Sequence, residues 1–329
     1  MLHSGKKAAD CIIIRIILKR ASWYRILYYS FRIFAALMYH LVYGLLYLVS
    51  LLPLWVLYLF SDLVYGLVFY VFGYRKTVVM QNLQIAFPEK TAAERRRIAK
   101  KFYRNLIDTF IETLKMISVS EKWLSKRVSG NWELVNAYKK EGRSVQIHLG
   151  HTFNWEWCNA EAARNFKIPF LGVYMPMTNQ VFDRLFRDLR SRSGTILLRA
   201  TNMGEDILPY RNKQYALGLA ADQNPGHPAS AWWFYFFGKP TPFVKGPAKN
   251  AIANNTIVVF VSITKVKRGY YNVQFTHATE EARQMTEQEL TGMFIHYLED
   301  VIRDQPAMWL WSHRRWKWEY KEEYGKIYT

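Results

Sequence analysis

Between Ile33 and Ser61 the chain carries no Asp, Glu, Lys or Arg. A run of that length exceeds the roughly 20 apolar residues an α-helix needs to cross a bilayer, so a membrane location constrains everything else. Ahead of it, Lys6, Lys7, Arg15, Lys19, Arg20, Arg25 and Arg32 face Asp10 alone, a basic flank of the kind retained on the cytoplasmic side. The run is too long for a signal-peptide core and has no small-residue cleavage site at its end, so it is expected to stay in the protein. Pro53 is placed to kink it. A second, shorter apolar stretch, Leu63 to Gly73, precedes Arg75 and Lys76. Both flanks are therefore basic and the orientation stays open. The shorter stretch reads as the second arm of a hairpin or embedded anchor, or as a buried helix packed on the domain that follows. The expected organisation is a basic segment 1–32, a membrane anchor 33–73 and a cytoplasmic domain 74–329.

Composition supports a membrane surface. Aromatic residues make up 16% of the chain, with 12 Trp and 22 Tyr, and both types suit the boundary between hydrocarbon and water. The net charge of +19 favours an anionic partner: a phosphorylated lipid, an acidic protein or nucleic acid, the last being disfavoured beside a membrane anchor. Cys11 and Cys158 are the only cysteines, which excludes a disulfide framework and a thiolate metal cluster.

Thr91-Ala92-Ala93-Glu94 has the spacing of a capping box and predicts a helix reaching about Ile117. Ile98, Phe102, Leu106, Phe110 and Leu114 give it an apolar face. Arg95, Arg96, Arg97, Lys100, Lys101 and Arg104 crowd its other faces, either as a solvated surface or as contacts to lipid phosphates or an acidic protein. From Gly142 onward, apolar runs alternate with helical segments. Ser144–His148, Phe170–Tyr174, Thr195–Leu198, Tyr215–Ala221, Trp232–Phe237, Ile257–Lys265 and Tyr270–Phe275 read as strands. Segments 155–165, 179–191, 245–253 and 286–304 read as helices. The expected fold is α/β, with a mixed, largely parallel sheet flanked by helices. Ligands of such sheets bind beyond the carboxyl ends of strands, where His151 and Asp222 would emerge.

His151 is followed at the fifth position by Glu156. Five residues of helix turn through about 500°, so the two side chains meet only if His151 sits on the turn and Glu156 in the first helical turns. That arrangement would place an imidazole base at a strand end, with a carboxylate to fix its tautomer. His148 has Phe153 at the fifth position and reads as a strand-end residue satisfied by the backbone. His148, His151 and Glu156 form too thin a ligand set for a metal, and none is expected. Cys158 lies within an apolar helix and reads as an inert packed thiol rather than an acyl-enzyme nucleophile. Asp222 serves either a turn in Asp-Gln-Asn-Pro or the site itself, as a carboxylate supporting the His151 loop. His313, Arg314 and Arg315 sit in an aromatic-rich segment that suits cation-π packing or phosphate recognition. Arg190, Arg192 and Arg199 are further candidates for binding an anion.

Taken together, the His-x4-Glu unit of His151 and Glu156, Ala221-Asp222-Gln223-Asn224-Pro225, Phe237-Gly238-Lys239-Pro240-Thr241-Pro242-Phe243 and Trp309-Leu310-Trp311-Ser312-His313-Arg314-Arg315-Trp316-Lys317 resemble the bacterial late lipid A acyltransferases. The resemblance extends through Tyr74-Arg75-Lys76, Asn82-Leu83 and Phe87-Pro88, and so covers nearly all of the chain from about residue 40. It implies an inner-membrane enzyme with an amino-terminal anchor and a catalytic domain on the cytoplasmic face. It also implies transfer of a fatty acyl chain from acyl carrier protein to a hydroxyl of a lipid A precursor, with no cofactor beyond the acyl thioester co-substrate. Under that reading His151 is the general base and Glu156 orients it. Arg190, Asp222, Gln223, Asn224, His313, Arg314 and Arg315 are then the expected substrate-binding residues. The same chemistry on another anionic membrane lipid (a lysophospholipid, glycolipid or aminolipid), or a non-catalytic basic membrane protein, are the alternatives.

Overall fold

The computed structural model describes residue 34 and residues 36–329. The basic segment 1–32, with Cys11, lies outside the described residues.

The long apolar run is not one helix. Pro53 ends the helix Ala36–Leu51 and caps a new one, Leu54–Gly66, which continues as a π-helical turn, Leu67–Val71. Proline has no N–H to give to the preceding turn, so the chain breaks where a kink was expected. The 18 residues Leu54–Val71 straddle the two predicted stretches, and among the described residues they form the one helix long and apolar enough to cross a membrane. One stripe of this helix, Leu57, Ser61, Tyr65 and Phe69, recurs every four residues and is buried against the body of the protein. Ser61 Oγ donates to Asp108 (2.7 Å) and Tyr58 Oη to Glu112 (2.5 Å), while Asp62 pairs with Arg268 (2.9 Å). The opposite stripe, including Trp55, Leu59, Leu63 and Phe72, is exposed.

Thr91 and Glu94 form the expected capping box of the helix Ala92–Lys115. Ile98 and Leu114 of its predicted apolar face pack on the core around buried Phe102 and Leu106, but Phe110 is exposed.

The central sheet has seven strands in the order β1-β9-β8-β2-β5-β3-β4. They are β1 (Val128–Gly130), β2 (Val145–Leu149), β3 (Phe170–Tyr174), β4 (Ile196–Arg199), β5 (Ala216–Ala220), β8 (Ile257–Lys267) and β9 (Tyr270–Thr279). Within this sheet β8 and β9 pair antiparallel and every other pairing is parallel. The predicted strand at Trp232 belongs elsewhere. It is β6 (Trp232–Phe236), the middle of a small second sheet with β7 (Lys239–Phe243) and β10 (Ile327–Tyr328). β7 contains Pro240 and Pro242 and was not legible as a strand. It is tolerated because it is an edge strand, where a missing N–H faces away from the ladder.

Helices Trp155–Asn165, Gln180–Ser191, Gly246–Asn254 and Glu287–Asp304 follow the expected pattern. Asn154 caps the first and Asn179 the second, each accepting from backbone N–H groups of the opening turn.

Candidate active site

β2 and β5 are neighbours in register, Leu149 opposite Ala220, and the Ala221 N–H donates to the Leu149 carbonyl (2.9 Å). Two residues beyond each strand end stand His151 and Asp222, so parallel pairing alone brings an imidazole and a carboxylate to the same edge. They make direct contact. His151 Nδ1 lies 2.6 Å from Asp222 Oδ1, and the His151 backbone N–H donates to Oδ2 (2.8 Å). Trp309 Nε1 also donates to Oδ2 (2.8 Å). Asp222 is buried while the His151 ring is 25% exposed.

Burial by itself would push the Asp222 carboxyl up. The charge of His151 and the hydrogen bonds from His151 and Trp309 override it and hold the carboxyl well below the usual range. For His151, burial acts downward, but Asp222 raises the imidazole above its ordinary value of 6.5. With Nδ1–H donating to an ionised Asp222, the lone pair is on Nε2, where Gln223 Nε2 lies at 3.2 Å.

Glu156 is not the partner of His151. It sits in the first turn of its helix as expected, but its buried carboxylate accepts from Arg190 Nε (3.0 Å) and Nη2 (2.5 Å) and from Trp155 Nε1 (3.1 Å). The Asn154 cap aims that turn at the helix Gln180–Ser191, so the carboxylate meets a guanidinium before it meets the imidazole. Arg190 is correspondingly raised by Glu156 against the downward effect of burial. Both residues still face the site. A cavity of about 340 Å³ is bordered by His151, Glu156, Gln223 and Arg190 and continues between Ile147, Cys158, Val261, Ile263, Val273 and Phe275. Gly172 and Gly218, adjacent in register on β3 and β5, also line it, and their missing side chains leave it depth.

The carboxy-terminal segment crosses over the site. Thr152 bridges to Trp309, and the Leu310 N–H donates to the His151 carbonyl (3.0 Å). Asn82 Nδ2 holds the carbonyls of Trp311 (2.8 Å) and His313 (2.7 Å), and Arg75 donates to that of Ser312 (3.0 Å). The Arg75 and Asn82 motifs thereby clamp a segment more than two hundred positions away in sequence. Asn224 Nδ2 lies 3.4 Å from His313 Nε2 and donates to the Arg314 carbonyl (2.7 Å). Arg315, expected to touch substrate, does not face the site. It is fully buried, donating to Asn224 Oδ1 (2.8 Å) and the Pro242 carbonyl (2.9 Å), with its guanidinium 4.1 Å from the Phe243 ring centre. Arg192 and Arg199 are likewise engaged away from the cavity, with Ile117 and Asp206. His148 is buried, contacts Gln146 (2.6 Å), and is lowered to about 3 by burial, which keeps it neutral. Burial pushes the Cys158 thiol well up, as befits a packed side chain. Among the described residues no group of three or more His, Cys, Asp or Glu is placed to hold a metal ion.

The family described as bacterial lipid A biosynthesis acyltransferase matches residues 28–318. The chain belongs to that family. It is similar to the lipid A biosynthesis palmitoleoyltransferase of Escherichia coli (strain K12), 21% identical over 250 residues, covering 74% of this chain and 79% of that protein. It is also similar to the lipid A biosynthesis lauroyltransferase of the same organism, 24% identical over 285 residues (83% and 89% covered). A lipid A biosynthesis acyltransferase of Haemophilus influenzae is 23% identical over 262 residues (77% and 81% covered). Within this acyltransferase, the residue that sequence spacing missed as the His151 partner is Asp222. The sequence offered Asp222 as a carboxylate supporting the His151 loop; the equal offset of the two residues, each two past its strand, appears only with the observed strand ends.

Proposed function

We propose that this acyltransferase moves a fatty acyl chain from an acyl thioester, carried by acyl carrier protein, to a hydroxyl of a lipid A precursor at the cytoplasmic face of the bacterial inner membrane. The observation that carries the reading is the His151–Asp222 pair at the mouth of an apolar cavity, in a chain whose family acts in lipid A biosynthesis. The cavity takes the acyl chain, with the thioester carbon near His151. Nε2 removes the hydroxyl proton as the oxygen bonds to that carbon, and the carbon–sulfur bond then breaks. The imidazolium returns its proton to the departing thiolate, and Asp222 fixes the tautomer and stabilises the cation. Glu156 takes a different role from the one its spacing suggested: it holds Arg190 at the cavity mouth, where a guanidinium can stabilise the oxygen that becomes negative during attack. The exposed apolar stripe of Leu54–Val71 is the membrane contact.

The test is lipid mass spectrometry on a deletion strain complemented with wild type or His151→Ala. Loss of one acyl group from lipid A on deletion, restored by wild type and not by the variant, is expected. An unchanged lipid A spectrum on deletion overturns the acceptor, and full restoration by the variant overturns the base.

A further inference from the structure

His151 stands between two surfaces of opposite character. On one side is the apolar cavity; on the other a small recess of about 270 Å³ is lined by Arg75, His151, Asn224 and His313. Arg75, Asn224 and His313 also line a larger groove of about 680 Å³, together with Lys76, Arg314 and Lys317. Recess and groove thus share a wall. No Asp or Glu among the described residues lines either one, or the adjoining hollow that shares Arg314 and Lys317 and adds Lys239. The cleft beside Arg268 is different: Asp62, Asp108 and Asp304 line it, and Asp62 and Asp108 already pair with Lys265 and Arg268 there.

Arg75, Lys76, Arg314 and Lys317 make no ion pair among the described residues. Converging cations without counter-charge repel one another, and an anion bound among them relieves that repulsion. Beneath them, Arg315 is buried with no carboxylate hydrogen-bonded to it and is lowered to about 9 by burial. Its linkage to the groove runs through Asn224, which it holds by the side-chain oxygen. The position selects the kind of anion. Gly73 lines the groove, and the residues just before it, Val71 and Phe72, end the exposed apolar stripe. A ligand reaching His151 by this route comes from the lipid side, with its charged group at the level of the cations.

We propose that this groove binds a phosphate group of the acceptor lipid through Arg314 and Lys317, with Arg75 and Lys76, and so holds the acceptor hydroxyl at His151 on the side opposite the acyl chain. The proposal rests on the reading of the protein as an acyltransferase acting on a membrane lipid. Arg314 and Lys317 are the side chains to alter, because both are exposed and neither donates a hydrogen bond that holds the fold.

The experiment compares full-length wild type with Arg314→Ala/Lys317→Ala. A phosphorylated glucosamine-disaccharide lipid and its dephosphorylated counterpart are presented in vesicles of neutral phospholipid. Wild type is expected to favour the phosphorylated acceptor, and the double variant to lose that preference at least tenfold through KM for the acceptor. KM for the acyl donor should stay unchanged, and Arg314→Lys/Lys317→Arg should recover most of the preference. Inorganic phosphate, titrated alone, should compete with the acceptor in wild type and not in the double variant if the groove takes a phosphate in general; competition by the lipid but not by free phosphate assigns the site to the lipid headgroup. An unchanged preference in the double variant overturns the proposal, as does a rise confined to the donor KM, which would make the groove a dock for an acidic donor protein. Equilibrium binding of the phosphorylated lipid is measured in a His151→Ala background. Binding lost on adding Arg314→Ala/Lys317→Ala supports the groove even if His151 proves not to be the base, so the two readings fail separately.

Discussion

At the residue scale, the pairing of His151 with Asp222 sets a pH dependence. A base must be neutral to accept a proton, and Asp222 holds His151 above its ordinary value of 6.5. The acid limb of kcat/KM is therefore expected above pH 6.5. Asp222→Asn removes the carboxylate that raises the imidazole, so the limb should move to lower pH while the maximal rate falls by roughly 10²–10⁴-fold through loss of orientation. A rate profile measured from pH 5 to 9 checks both effects; an acid limb that stays in place would separate His151 from the proton transfer. The pair also links stability to pH. Asp222, depressed, contributes above the ordinary carboxylate range and loses that contribution as pH falls; His151, raised, contributes below its ordinary value and loses it as pH rises through the folded-state value.

At the element scale, the strands fix the cavity and the helices fix its mouth. β8 and β9 supply Val261 and Val273 to the lining, and the Asn154 cap orients Glu156 toward Arg190. Val261→Phe adds bulk on the cavity side of a sheet strand. The preferred acyl donor is expected to become shorter, as read by competition among thioesters of different chain length; an unchanged preference would show that the chain lies elsewhere. A second set of contacts ties the elements together around Glu112, which is fully buried. Its carboxylate accepts from Tyr58 of the apolar helix (2.5 Å), from Asn154 at the helix cap (2.7 Å) and from Tyr271 of β9 (2.6 Å). Burial pushes the Glu112 carboxyl up despite these donors. The apolar helix is therefore fastened, through Glu112, to Asn154 at the cap of the helix that carries Glu156.

At the scale of the whole molecule, an exposed apolar stripe and a net charge of +19 both suit a membrane surface. Apolar area favours hydrocarbon, and the basic residues favour anionic headgroups. Leu59 and Leu63 are 63% and 61% exposed, whereas Leu57 on the same helix is 1% exposed. Leu59→Glu/Leu63→Glu should release the protein from anionic vesicles in flotation while leaving the thermal midpoint within about 2 °C, as surface changes do. Leu57→Ala should instead cost about 2–5 kcal/mol of stability, read by denaturant unfolding. Retained flotation in the double variant would place the membrane contact elsewhere.

Local pattern by itself determined the α/β class, the boundaries of the helix at Trp155, the capping box at Thr91 and the emergence of His151 and Asp222 at strand ends, because each depends on periodicity or on a few adjacent residues. Motif order also carried the family. Which carboxylate meets the imidazole was not legible, since Glu156 is five residues away in the chain while Asp222 becomes adjacent only when β2 pairs with β5. The same holds for Arg315. Its sequence neighbours Arg314 and Trp316 give no sign that it turns inward to Asn224 and Phe243. The break at Pro53 was visible, but its consequence was not: the second of the two helices it separates packs one stripe on the domain and bonds to it through Ser61 and Tyr58. Sequence determines what each segment prefers; strand register and side-chain packing decide which distant groups share a site.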